Sequence, residues 1–225
     1  MMKKIRYLCI LLLFSLNINA QTVEEVLQKF VDSSGGFERI SKIRSSHFQM
    51  RSVSNKDTTT IIVIKEKGNR YATILKSKTK RAGIVFNSGK CAYVSNGKMK
   101  EIKDSVTLEE MWVQSNILPE MFYDPEVYTI EKDTATMNNK LYNVLSIYSP
   151  SFRFLTVNYY NNETGLLDFL ADNYGRVCYY QDYRYFKGFR LPRKATIVHS
   201  NGQETKIDLL NIQLDLPDNP SLFKL

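Results

Sequence analysis

The sequence predicts a mainly β protein of the α+β kind, organised around an antiparallel sheet. Three observations lead there. From Leu141 to Leu216, six runs rich in β-branched and aromatic residues are separated by turn signals. A second series of such runs fills Ser45 to Lys103. The first series contains no helical pattern of the ten or more residues that a parallel crossover needs, so its strands must turn back on one another.

Residues 1–20 read as an export signal. Lys3, Lys4 and Arg6 precede the apolar run Leu8–Leu16, and Ile18-Asn19-Ala20 supplies a cleavage site. The apolar run is too short for a membrane span, which takes about 20 residues. Cys9 sits early in that run with no small residues before it, the wrong place for a lipid-modified cysteine. Cleavage after Ala20 leaves residues 21–225, a length that suits one all-β domain in a periplasmic protein. It also takes Lys+Arg from 31 to 28 against 23 Asp+Glu, so the net charge falls from +8 to +5. Dispersed lysines without a basic helix or zinc-ligand spacing argue against nucleic acid, whereas anionic lipid headgroups remain compatible. Cys91 and Cys178 remain in an oxidising compartment, either bridged or packed as free thiols.

Thr22 and Glu25 form a capping box ahead of an amphipathic helix carrying Val23, Val26, Leu27, Phe30 and Val31. Gly35-Gly36 ends that helix, and Phe37, Ile40 and Ile43 suggest a short second one. Strands follow at 45–54, 58–67, 70–77, 81–87, 90–95 and 98–103, with Asn87-Ser88-Gly89 and Asn96-Gly97 as hairpin turns. Thr60–Ile64 is apolar on both faces, as expected of a central strand. Lys76, Lys78, Lys80 and Arg81 form the one basic run. It either protects a sheet edge from mispairing or docks an acidic partner or a membrane surface.

Residues 107–123 break the strand pattern. Thr107 and Glu110 read as a second capping box, followed by Met111, Trp112 and the apolar stretch Ile117–Tyr123. Such a Met- and aromatic-rich insertion suits a lid and a core plug equally well. A strand at 126–132 leads through Asn138-Asn139 into the meander, with strands at 141–149, 152–160, 166–172, 176–187, 190–200 and 203–216. One face of the last strand carries Leu210, Ile212, Leu214 and Leu216, so the sheet has an apolar side that something must cover. Leu222 and Phe223 are expected to tuck under the sheet.

Catalytic signatures are scarce. His47 and His199 stand far apart without metal-ligand spacing, and no nucleophile elbow, Ser-Lys pair or phosphate-binding glycine loop occurs. Asp168, Asp172 and Asp182 fall on strands, where carboxylates usually face water. The chain is therefore expected to be no enzyme and to use no cofactor and no metal.

Several stretches together resemble the LolA-like superfamily, the outer-membrane lipoprotein carriers and the lipoprotein-sorting proteins related to them. They are the helix ending in a double glycine over Val23–Gly36, Ile43-Arg44-Ser45-Ser46 entering a strand, and Val94–Lys98. The Tyr159–Leu167 hairpin, the run Tyr183–Thr196 with Gly188 and Leu191-Pro192, and the ending Asn219–Leu225 complete the set. The resemblance implies a strongly curved antiparallel sheet, an incomplete barrel, with helices across its concave face. It also implies an apolar cavity for acyl chains of a lipid or lipoprotein, in outer-membrane lipid handling. The lid-closing arginine of the true carriers finds no clear counterpart, Arg44 and Arg51 being merely nearby.

On that basis the cavity wall is expected from Phe48, Ile62, Ile64, Tyr71 and Ile84, with Tyr179, Tyr183, Leu210 and Ile212 from the meander. Trp112, Leu118, Met121 and Phe122 would form the cover. A single register error would move a whole strand's residues to the other face. Acyl chains, and at most envelope membrane proteins or an anionic membrane surface, are the expected partners of a monomer. Two other readings stand beside this one. One is an interaction module whose hollow is filled by its own helices; the other is a hydrolase or isomerase using His47 or His199 with an aspartate.

Overall fold

A computed structural model describes residues 21–55, 57–149 and 153–225. The expected export signal and part of the expected turn at Ser149-Pro150-Ser151 lie outside the described residues. The chain begins with helix α1 (Val23–Ser34) and the short α2 (Phe37–Ser41). The Thr22 hydroxyl accepts from the Glu25 amide, and the Glu25 carboxylate accepts from the Thr22 amide, so the capping box forms as expected. Six strands follow: β1 (Ser45–Ser54), β2 (Asp57–Glu66), β3 (Arg70–Lys76), β4 (Arg81–Asn87), β5 (Lys90–Ser95) and β6 (Lys98–Ile102). Helix α3 (Ser105–Gln114) and a 3-10 turn (Pro119–Phe122) come next. The chain then runs through β7 (Thr129–Met137), β8 (Lys140–Tyr148), β9 (Phe154–Asn161), β10 (Leu167–Asp172), β11 (Val177–Phe186), β12 (Phe189–Val198) and β13 (Glu204–Leu214). A second 3-10 turn, Pro220–Phe223, closes it.

All 13 strands belong to one antiparallel sheet in the order β6-β5-β4-β3-β2-β1-β13-β12-β11-β10-β9-β8-β7. The two meanders join where β1 pairs with β13. The sheet curves but does not close, leaving β6 and β7 as free edges. Both edges carry charge along their length, as Lys98, Lys100 and Glu101 do on β6 and Glu131, Lys132 and Asp133 on β7, which discourages pairing with another chain.

Most element boundaries fall within about two residues of expectation, and at two of the others a hydrogen bond explains the difference. The strand expected at 126–132 begins only at Thr129, because Asp124 holds residues 124–128 in a turn. Its carbonyl accepts from the amides of Val127 and Tyr128, and its side chain from that of Glu126. The expected cap Thr107 is itself capped: its amide donates to Asp104 Oδ1 at 2.8 Å, and the helix starts at Ser105.

The core lies on the concave side. Val26, Leu27 and Phe30 of α1 pack on Leu145 and Ile147 of β8, Tyr160 of β9 and Leu167 of β10. Phe30 meets the edge of Tyr160 at 5.3 Å between ring centroids. Val31, Ile40 and Ile43 pack on Phe189. At that junction Gly35 adopts φ 135° with its α-carbon against the Gly188 carbonyl, where a Cβ would come within 2.8 Å of that oxygen. On the convex side Phe223 is 1% exposed and covers Ile64 and Ala72, so the chain's end does tuck under the sheet.

Candidate functional site

The topology dictates where a site can be. The segment between β6 and β7 must carry the chain from one free edge of the sheet to the other, and it does so across the concave side. Helix α3 and the 3-10 turn are that crossing. Val113 and Tyr123 are buried in the core beneath α1, and Tyr123 meets the edge of Tyr128 at 5.5 Å. Trp112 lies edge-on to Phe86 of β4 at 6.3 Å yet is 46% exposed. The same segment therefore plugs the core at one end and presents a loosely held aromatic at the other.

Beneath it lies a hollow of about 550 Å³ bounded by α1, α3, the 3-10 turn and strands β2 and β9–β12. Its apolar wall includes Phe30, Leu118, Leu155, Leu167, Leu170 and Ile197. Polar groups interrupt that wall. Thr156 donates to Asn158 Oδ1 at 2.9 Å, and Asn158 donates to the Tyr160 hydroxyl at 3.0 Å. Tyr183 donates to the Leu167 carbonyl at 2.6 Å. Burial raises Tyr180 well above the ordinary phenol range, so it stays protonated there. The rim is tied by Glu110 of α3, which accepts from the Tyr174 hydroxyl at 2.9 and 3.0 Å. Arg153 reinforces the tie with an ion pair to Glu109 at 2.9 Å.

The most enclosed charges at the hollow are Lys65 of β2, which is buried, and Glu120 of the 3-10 turn, half-buried with its Oε2 shut off from water. Lys65 Nζ donates to the Asn116 carbonyl at 2.9 Å, joining the sheet to the crossing segment. Burial pushes its amine down to about 8, and the nearby Glu120 charge opposes that fall. Burial likewise raises Glu120, against a backbone hydrogen bond and the Lys65 charge. Each group thus limits the cost of burying the other.

The structure gathers part of the expected wall and disperses the rest. Leu118 and Tyr183 line the hollow. Phe48 and Ile212 meet Leu118 in an adjoining gap of only about 20 Å³, closed by Ile43, Ile117 and Phe189. Tyr71 and Ile84 share that concave face through pairing with Phe86 and Thr73, and the Tyr71 hydroxyl accepts from Thr73 at 2.6 Å. Met121 packs on the α2 cluster and borders a separate gap of about 200 Å³. Phe122 belongs to the 3-10 turn, and its side chain lies outside the described residues.

Four expected wall residues lie away from the concave face. Ile62 and Ile64 face the convex side under Leu222 and Phe223, because Lys65, not Ile64, shares the face of Tyr71. Tyr179 is also convex, completing an aromatic ladder with Tyr142, Tyr159 and Phe169 in which Tyr159 and Phe169 stack at 4.1 Å. Its expected partner Tyr183 reaches the hollow because Asp182, at φ 54°, interrupts the alternation of β11. Leu210 is the extra residue where the β1–β13 register shifts, and it is 52% exposed. In their place stand Lys65, Glu120, Asn158, Tyr180 and Arg190, polar residues that a search for an apolar wall does not select. A lysine flanked by Ile64 and Glu66 within a central strand was the one available signal.

Cys91 and Cys178 are free thiols on opposite halves of the sheet. His199 Nε2 contacts Thr205 Oγ1 at 2.9 Å, and His47 lies on β1 facing β2 and β13. Among the described residues no group of three or more His, Cys, Asp or Glu could hold a metal ion, and no helix is long and apolar enough to cross a membrane.

No protein-family model and no curated protein sequence matches this chain. Solved structures do. A LolA superfamily protein from Nitrosomonas europaea superposes with a TM-score of 0.63 at 12% identity, over 92% of this chain and 99% of that one. A DUF1329 family protein from Desulfovibrio piger gives 0.61 at 10% identity, over 90% and 97%. The chain has a LolA-like fold.

Proposed function

We propose, from the LolA-like fold, that this protein is a non-catalytic periplasmic carrier which holds the acyl chain of a lipid or lipoprotein under its crossing segment. The observation that carries the reading is the hollow of about 550 Å³ between the concave face and that segment. Its size falls within the roughly 300–1,000 Å³ of small-molecule sites. Each buried methylene contributes about 0.8 kcal/mol, so a chain of about a dozen carbons would gain roughly 10 kcal/mol before ordering costs. The polar groups in the wall favour an amphiphile over a bare hydrocarbon. Lys76, Lys78, Lys80 and Arg81 are all exposed around the β3–β4 turn, which supports docking on an anionic membrane surface.

A second reading has one observation of its own. Where Phe48, Ile212 and Leu118 converge, the gap shrinks to about 20 Å³, as in an interaction module whose helices fill the concave face. Native mass spectrometry of protein purified from its own cell envelope, followed by lipid extraction, separates the two. Stoichiometric lipid supports the carrier; lipid-free protein that also rejects fluorescent acyl probes supports the module.

A further inference from the structure

Six ionisable side chains of Asp, Glu, Lys and Arg border the hollow: Lys65, Arg176 and Arg190 against Glu110, Glu120 and Asp172. Four are matched within the protein by an ion pair or a side-chain hydrogen bond. Arg176 pairs with Asp172 at 2.6 Å. Glu110 accepts from Tyr174 and lies 3.7 Å from Arg153. Lys65 donates to the Asn116 carbonyl, whereas Glu120, among the described residues, feels the Lys65 charge without an ion pair and keeps its Oε2 buried without a hydrogen-bond partner. Of the three cations, Arg190 is the one left over. Among the described residues its guanidinium enters no ion pair and no side-chain hydrogen bond. Its Cζ lies instead over an aromatic ring, 5.9 Å from the centroid of Tyr185, its cross-strand neighbour, which is itself 70% exposed. That contact uses none of the five donors of the guanidinium fork.

We infer that the ligand of this hollow is an anionic amphiphile. Its carboxylate or phosphate head sits on Arg190 while its chain runs inward over Phe30, Leu118, Leu167 and Leu170. The inference rests on the carrier reading and narrows it to a ligand class. A guanidinium matches either anion with two parallel hydrogen bonds, which an ammonium cannot do. An uncharged head would leave those donors to water.

The test compares ligands of one chain length in the full protein: dodecanoate, dodecyl phosphate and dodecanol, each measured by displacement of a fluorescent fatty acid. Inorganic phosphate serves as a competitor without a chain. One of the two anionic amphiphiles is expected to bind at least about tenfold tighter than dodecanol, and which one identifies the head. Arg190→Gln should bring it down to the dodecanol affinity. Arg51→Gln, which removes the same charge from an outward pair with Asp208, should keep the preference. Arg190→Lys, intermediate in effect, replaces the glutamine variant if that one fails to fold by circular dichroism. Equal binding of dodecanol and both anions, or a preference that survives Arg190→Gln, overturns the inference alone. Full displacement by inorganic phosphate also overturns it, in favour of a small-anion site. Failure of all three amphiphiles to bind overturns the carrier reading with it.

Discussion

Lys65 is the residue whose chemistry is most altered by the fold. Its amine falls from 10.5 to about 8 through burial. Between those values the unfolded chain binds more protons than the folded one, so Lys65 makes stability rise with pH across that window. For a shift of this size the gain is about 3 kcal/mol. Denaturant unfolding at pH 8 and pH 10.5 should show this gain in the wild type relative to Lys65→Met, which cancels the contributions of buried tyrosines common to both. Glu120 acts in the opposite sense: its raised folded value means that stability is lost as pH climbs from 4.5 through that value. Removing either partner leaves the other buried charge uncompensated. Glu120→Leu alone should therefore destabilise at pH 7 more than the double variant Lys65→Met with Glu120→Leu, and that double variant should stand close to wild type. Equal melting temperatures for the single and double variants would contradict the coupling.

At the scale of elements, strands were legible because turn chemistry and β-propensity are local. Every hairpin from β2 to β6 and from β8 to β13 falls within about two residues of its expected place. Helix α1 was legible too, through its capping box and apolar stripe. The sequence puts the start of helix α3 late because Thr107 is as good a cap as Asp104 in sequence, and only the hydrogen bond decides between them. Asp104→Ala should cost about 1 kcal/mol, measured by thermal unfolding. The C-terminal turn should matter more. Phe223, covering Ile64 and Ala72 under an Arg70 guanidinium 5.6 Å away, should cost about 3–5 kcal/mol on replacement by alanine. A loss below 1 kcal/mol would mean that this turn is not part of the folded unit.

For the whole molecule, the crossing segment is anchored to both free edges of one sheet, so a ligand in the hollow lies against that segment on one side and the strands on the other. Trp112, the only tryptophan, sits on that segment against Phe86. Its emission should change as dodecanoate is titrated, with the melting transition moving upward. At a ligand concentration 100 times Kd the stabilisation is about 2.7 kcal/mol. Emission and melting temperature that both stay constant under saturating amphiphile would remove the carrier reading. The sequence by itself determined the strands, the antiparallel order of the two meanders, the leading helix and the presence of an insertion between them, because these follow from turn residues and periodicity within a few positions. Only the tertiary structure decided which face each strand presents, since Asp182 and the shift at Leu210 reverse the alternation without leaving a mark in hydrophobicity. It also decided that the wall is partly charged, because Lys65 and Glu120 become neighbours only when β2 and a segment some 55 residues later close on each other.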